Sequence, residues 1–188
     1  FSALLARARR RDDAGMEGAA SRHANIAYQC LDRQVEAGRG ACEALRVVGR
    51  DGSVARYTFA SLTAATNRFA NVLTSLGVGA GGRVFVLLGR GVDLHTAVLG
   101  ALKARCVVCP LFSAFGPEPL HQRMVLGEAD VLVTSTAMYE RKRAAFEGVD
   151  TLKHVLLTDG NLRDLMAAAS DQFDIAPTDP EDPALLHF

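Results

Sequence analysis

Runs of uninterrupted apolar residues, separated by segments of helical periodicity, constrain this chain more than any other feature of it. They are Arg83-Val-Phe-Val-Leu-Leu88, Cys106-Val-Val-Cys-Pro110, Asp130-Val-Leu-Val-Thr134 and Lys153-His-Val-Leu-Leu157, with Ala184-Leu-Leu-His-Phe188 as a fifth. A strand with one wet face alternates polar and apolar side chains. A run that is apolar throughout is covered on both faces, as in a parallel sheet. Spaced by about 22 residues, the runs leave room for one crossover helix each, and such connections are right-handed. The expected fold class is α/β, a doubly wound, mainly parallel sheet with flanking helices. No residue signature recurs from unit to unit, which sets aside a solenoid of similar period.

Ahead of the first run the pattern differs. Residues 1–22 hold Arg7, Arg9, Arg10, Arg11, Asp12 and Asp13 among Gly and Ala, and read as a flexible tail. Ile26, Leu31 and Val35 suggest a short helix that Gly38-Arg39-Gly40 breaks. The runs 44–48 and 54–58 flank Asp51-Gly52, a hairpin signal, so an N-terminal β-hairpin is expected beside the parallel sheet. Thr58 is a suitable N-cap for an amphipathic helix over 59–76, with Gly77 beyond its end. Further helices are expected over 93–104, 117–128, 137–146 and 162–169, and a proline-bearing loop over 171–183. The domain reading is a tail over 1–22 and an incomplete α/β domain over 23–188. Phe1 in place of Met, and a last apolar run still open at Phe188, suggest a piece of a longer protein.

Lys plus Arg equals Asp plus Glu, 21 each, which points to no nucleic-acid or membrane partner. No apolar run approaches the roughly 18 residues of a membrane span, and the cysteine usage suggests a reduced, cytoplasmic setting. Cys106-Val-Val-Cys109 matches a redox or metal spacing, but residues three apart on a strand face opposite sides, so two buried thiols are expected instead. In Gly77-Val-Gly79-Ala-Gly81-Gly82 the glycines follow a helix and precede a strand, the reverse of a dinucleotide-binding turn. Gly89-Arg90-Gly91 is placed between strand and helix but lacks the third glycine and the acidic residue that an oxidoreductase of that kind needs. The five histidines have no partners at metal-ligand spacing, and His95 is expected on the apolar side of its helix, inside the core. From spacing alone no catalytic set and no metal site is visible.

The stretch Gly100-Ala-Leu-Lys-Ala-Arg-Cys-Val-Val-Cys-Pro-Leu-Phe-Ser-Ala-Phe-Gly-Pro-Glu-Pro-Leu120, continuing to Arg123, resembles the acetate–CoA ligase branch of the adenylate-forming superfamily. Asn25-Ile-Ala-Tyr-Gln-Cys-Leu-Asp-Arg33, Arg56-Tyr-Thr-Phe-Ala-Ser-Leu62, residues 68–84 and Asp182-Pro-Ala-Leu-Leu-His-Phe188 resemble further blocks of that family in the same order. The resemblance spans residues 25–188 and implies the first part of a synthetase N-terminal domain. It implies that a carboxylate, acetate in this branch, attacks ATP to give an acyl-adenylate, and that coenzyme A then displaces AMP. ATP, coenzyme A and Mg are the implied cofactors of the whole enzyme. The family's phosphate loop and mobile lysine lie beyond Phe188, so this piece alone is expected to carry no catalytic residue, no tightly bound cofactor and no ligase activity. Its partner is the remainder of the same polypeptide, with self-association through an open sheet edge where that is lacking. Two segments resemble the family's coenzyme A contacts. One is the turn Phe112-Ser113-Ala114-Phe115-Gly116, with Ser113 and Ala114 where the family often has glycines. The other is Glu140-Arg141-Lys142-Arg143, where Arg143 matches the second of two arginines and Glu140 stands in place of the first. The competing reading is a scaffold that binds nucleotide or coenzyme A without turnover.

Overall fold

The computed structural model describes residues 21–188, so the tail expected over 1–22 lies outside the described residues except for Ser21 and Arg22. Ser21 pairs antiparallel with Thr178 through bonds of 2.9 and 3.1 Å. The next segment winds in wide, π-type turns, Tyr28–Asp32 and Val35–Arg39, in which Gly38 takes φ 77°. An antiparallel hairpin follows, β1 (Glu43–Val48) and β2 (Val54–Thr58). Its turn closes with Gly49 N–H on Ser53 O at 2.8 Å, and Gly52 supplies the left-handed residue at φ 81°.

The main sheet has four parallel strands, β3 (Arg83–Leu87), β4 (Val107–Pro110), β5 (Val131–Thr134) and β6 (His154–Leu157), in the order β4-β3-β5-β6. Between them run α1 (Phe59–Ser75, before β3), α2 (Val92–Lys103), α3 (Pro117–Leu126), α4 (Thr136–Lys142) and, after β6, α5 (Asn161–Ala168). The local signals act as their chemistry requires. The Thr58 hydroxyl accepts the Ser61 amide at 3.2 Å to start α1. Pro117 opens α3, where its missing N–H has no intrahelical partner to lose.

Two apolar layers cover the two faces of the sheet. Phe69, Leu73, Val84, Val86, Val131 and Leu156 belong to one, with α1, α2 and α5. Phe85, Leu87, Leu120, Met124, Leu132 and Phe146 belong to the other, with α3 and the end of α4. Cys106 lies in the first layer and Cys109 in the second, as alternation along a strand demands. Burial raises their thiols to about 12 and about 11, respectively, so both are neutral, poorly nucleophilic groups.

Two expectations about the sheet and its core change. Residues 184–188 do not form a full strand. Val108 N–H binds Ala184 O at 3.0 Å and Leu186 N–H binds Val108 O at 2.9 Å, and the pairing stops there. The next rung would draw a donor from Pro110, which has none. His95 is not a core histidine. It is exposed, and its Nδ1 lies 2.8 Å from Gly91 O, one turn back on α2. Ala97, Gly100 and Ala101 take the buried face instead, because their small side chains let α1 approach closely. A Cβ on Gly100 would sit 2.8 Å from Thr66 O and 2.9 Å from the Phe69 Cβ.

Candidate functional site

In parallel α/β sheets, ligands bind beyond the carboxyl ends of the strands. The turn after β4 and helix α4 after β5 both start there, and the structure brings these two sequence-predicted segments together. Lys142, the last residue of α4, donates from Nζ to the Phe115 carbonyl at 2.5 Å. The turn itself closes with Phe115 N–H on Phe112 O at 3.0 Å. The Phe112 and Phe115 rings meet edge to face at 5.6 Å, leaving Phe112 63% exposed. Ser113 is half-buried and Ala114 is exposed. Beside the turn lies a cavity of about 250 Å³ walled by Pro110, Phe112, Phe115, Arg123, His187 and Phe188.

The basic segment divides into three roles. Lys142 is occupied by the turn. The Arg143 guanidinium lies 3.6 Å from Glu140 and 3.9 Å from Glu147, which balance its charge. Arg141 is exposed and has no ion pair among the described residues. The helix expected over 137–146 ends earlier, at Lys142, and continues as a 3-10 turn, Arg143–Ala145. That tightening buries Ala145 and Phe146 and turns Arg141 and Arg143 toward water.

Two further polar clusters escaped the sequence reading. Lys103 is buried, and its Nζ contacts Asp32 Oδ1 at 2.9 Å, Asp32 Oδ2 at 2.8 Å and Asn67 Oδ1 at 2.6 Å. Burial pushes the lysine below its ordinary value, with Asp32 acting against that shift. A lysine three residues after Gly100 falls on the helix face that packs against α1, a signal available in the sequence. Its partner 71 positions away was not. The second cluster lies at the amino ends of the strands, just before β5. Asp130 accepts the Arg83 amide at 2.9 Å and the Lys153 ammonium at 2.8 Å. Burial disfavours its charge, but these donors outweigh burial and hold its carboxyl below the usual range. Among the described residues, no group of three His, Cys, Asp or Glu side chains is placed to hold a metal ion. Nor is any helix there long and apolar enough to cross a membrane.

A family model described as AMP-binding enzyme matches residues 31–188. An acetyl-coenzyme A synthetase of Burkholderia thailandensis is 38% identical over 111 residues, 59% of this chain and 17% of that protein. The chain therefore spans a small part of the length of the curated relatives it matches. Among solved structures, an acyl-CoA synthetase of Brucella canis superposes with a TM-score of 0.76 at 29% identity, over 87% of this chain and 31% of that one. A fatty acyl CoA synthetase of Mycobacterium tuberculosis shares the fold with a TM-score of 0.73 at 21% identity, over 89% of this chain and 33% of the other.

Proposed function

This chain belongs to the AMP-binding enzyme family, and from that premise we propose that it is the leading part of a ligase joining acetate to coenzyme A through an acyl-adenylate. The observation that carries the reading is the junction of the 112–116 turn with the end of α4, where Lys142 meets Phe115. It puts an apolar, partly open turn against the end of the helix that carries Arg141, which has no ion pair among the described residues. Coenzyme A has both complements, a thin pantetheine arm and a phosphate-rich head.

In this reading the arm passes Ser113, Ala114 and the exposed Phe112 ring, which exclude water from one side of it. The side chains of Ser113 and Ala114 narrow the passage relative to glycines. Arg141 meets a phosphate of the head, since Lys142 is engaged and Arg143 already faces two carboxylates. A guanidinium suits that role because its fixed fork of donors matches phosphate oxygens. Coenzyme A, when bound, supplies the thiol that accepts the acyl group. ATP and Mg belong to parts of the parent protein beyond these residues, since residues 1–188 contain no Ser/Thr/Gly-rich phosphate loop. The same reading leaves this piece without turnover and has the remainder of the polypeptide cover the edge at 184–186 and the exposed Leu126, Leu185 and Phe188. A piece lacking that cover would self-associate there.

The test compares the whole parent protein with residues 1–188, measuring acetate-dependent exchange of pyrophosphate into ATP and thioester formation with coenzyme A. The reading expects both from the parent and neither from the piece. A parent that binds coenzyme A but catalyses neither half would be the scaffold instead. Activity from the piece alone would refute the division of labour.

A further inference from the structure

Phe115 is gripped from two sides by cations that come from different helices. The guanidinium carbon of Arg123, on α3, sits 4.3 Å over the Phe115 ring. The Lys142 ammonium, on α4, takes the carbonyl of the same residue at 2.5 Å. Arg123 is itself fixed, donating from a terminal nitrogen to Pro119 O at 2.8 Å. Its Nε is buried without a hydrogen-bond partner, a state that normally costs stability. The helices are tied to each other as well, since His121 Nδ1 on α3 lies 3.2 Å from Ala145 O after α4. A guanidinium that leaves one nitrogen unsatisfied while it sits over a ring is held there by the ring face and by Pro119. No carboxylate holds it, because no ion pair includes Arg123 among the described residues.

We infer that Arg123 is a positioning residue: with Lys142 it clamps Phe115 and so fixes the path of residues 113–114. This rests on the reading that the turn borders the coenzyme A passage. Besides the clamp, the turn is held by the packing of Phe115 against the second apolar layer and by the Phe112–Phe115 ring pair. It carries one internal backbone bond, from the Phe115 amide to Phe112 O, and two side chains exposed to water, Phe112 and Ala114. Turns with few buried contacts open locally at low cost. Without the clamp, residues 113–114 would wander across the passage, and a thiol arm would have to order them on binding. The arginine touches neither the thiol nor the acyl group. Its loss therefore weakens coenzyme A binding and leaves adenylation alone.

The test uses Arg123→Met, which keeps bulk over the ring without charge, and Arg123→Lys, which keeps the charge. Amide hydrogen exchange is followed at Phe115 and at Val131–Thr134, and kinetics are measured on the whole parent. Arg123→Met is expected to speed exchange at Phe115 by about tenfold and to leave β5 unchanged. It should raise the KM for coenzyme A several-fold with acetate-dependent pyrophosphate exchange intact, and Arg123→Lys should restore most of both. Unchanged exchange at Phe115 in Arg123→Met overturns the clamp. Should Arg123→Met also strip protection from β5, Lys142→Met decides: faster exchange at Phe115 with β5 unchanged upholds the clamp, and unchanged exchange at Phe115 overturns it. If the wild-type parent forms no thioester, the reaction reading fails separately, and exchange at Phe115 alone upholds or overturns the clamp.

Discussion

Replacing Lys103 by Met tests whether the buried Lys103–Asp32–Asn67 cluster ties the N-terminal segment to the helical layer. Methionine fills similar volume, so the change isolates the ammonium group. Two partners lose it: the Asp32 carboxylate at 2.8 to 2.9 Å and the Asn67 carbonyl at 2.6 Å. Breaking a fully buried pair by removing one member costs about 3–5 kcal/mol, because the other charge is stranded. Asp32 retains 16% side-chain exposure, so water recovers part of that cost. Its Oδ2, however, has no other hydrogen-bond donor. A loss of about 2–3 kcal/mol follows, a large share of a typical domain's 5–15. Urea unfolding reads it as a lower midpoint at unchanged slope. Adding Asp32→Asn removes the stranded charge and should return about 1–2 kcal/mol. Hydrogen exchange should also rise over residues 28–39, which lose their charged tether to α2. If Lys103→Met costs under about 0.5 kcal/mol, or the double variant is no more stable than the single one, the stranded-charge reasoning is wrong.

Three other perturbations have defined outcomes. Gly100→Ala should destabilise by about 1–2 kcal/mol: the gain in helix propensity is about 1, but a Cβ 2.8 Å from Thr66 O forces α1 and α2 apart; an unfolding midpoint at or above wild type would refute the close approach. Asp130 has a folded-state value held below its ordinary 3.8, so its contribution is present above that value and is lost as pH falls through the lower, folded one. Asp130→Asn should therefore cost stability at pH 7, and the difference from wild type should shrink as pH falls below 3.8; a difference that stays constant through that range would contradict the linkage. Reversing charge at Arg141 and Arg143 in the parent protein should raise the KM for coenzyme A and spare that for acetate, and an unchanged coenzyme A KM would remove these residues from the site.

The parts of the fold legible in the sequence were those fixed by neighbours along the chain. Thr58, Gly77, Pro117 and Asp51-Gly52 act on the backbone within a few residues of themselves, and each marks a boundary or turn that the structure contains. The apolar strands were legible because burial on both faces leaves no polar position to interrupt them. His95 failed for a related reason. Periodicity gives the apolar side of a helix but not which part of that side the small residues keep for themselves. The last run failed because a strand needs a partner able to supply rungs, and Pro110 supplies none at the next one.

What the sequence determined alone was therefore the class of the fold, the order of its elements and, by resemblance, the family. Tertiary structure decided which charges meet. Asp32 and Lys103 lie 71 positions apart, and Phe115 and Lys142 lie 27 apart. Their encounter depends on how crossover helices pack on the sheet, which local pattern does not encode. A cation's role follows from the group it faces, so Lys142, Arg143 and Arg141 look alike in sequence and differ in the fold.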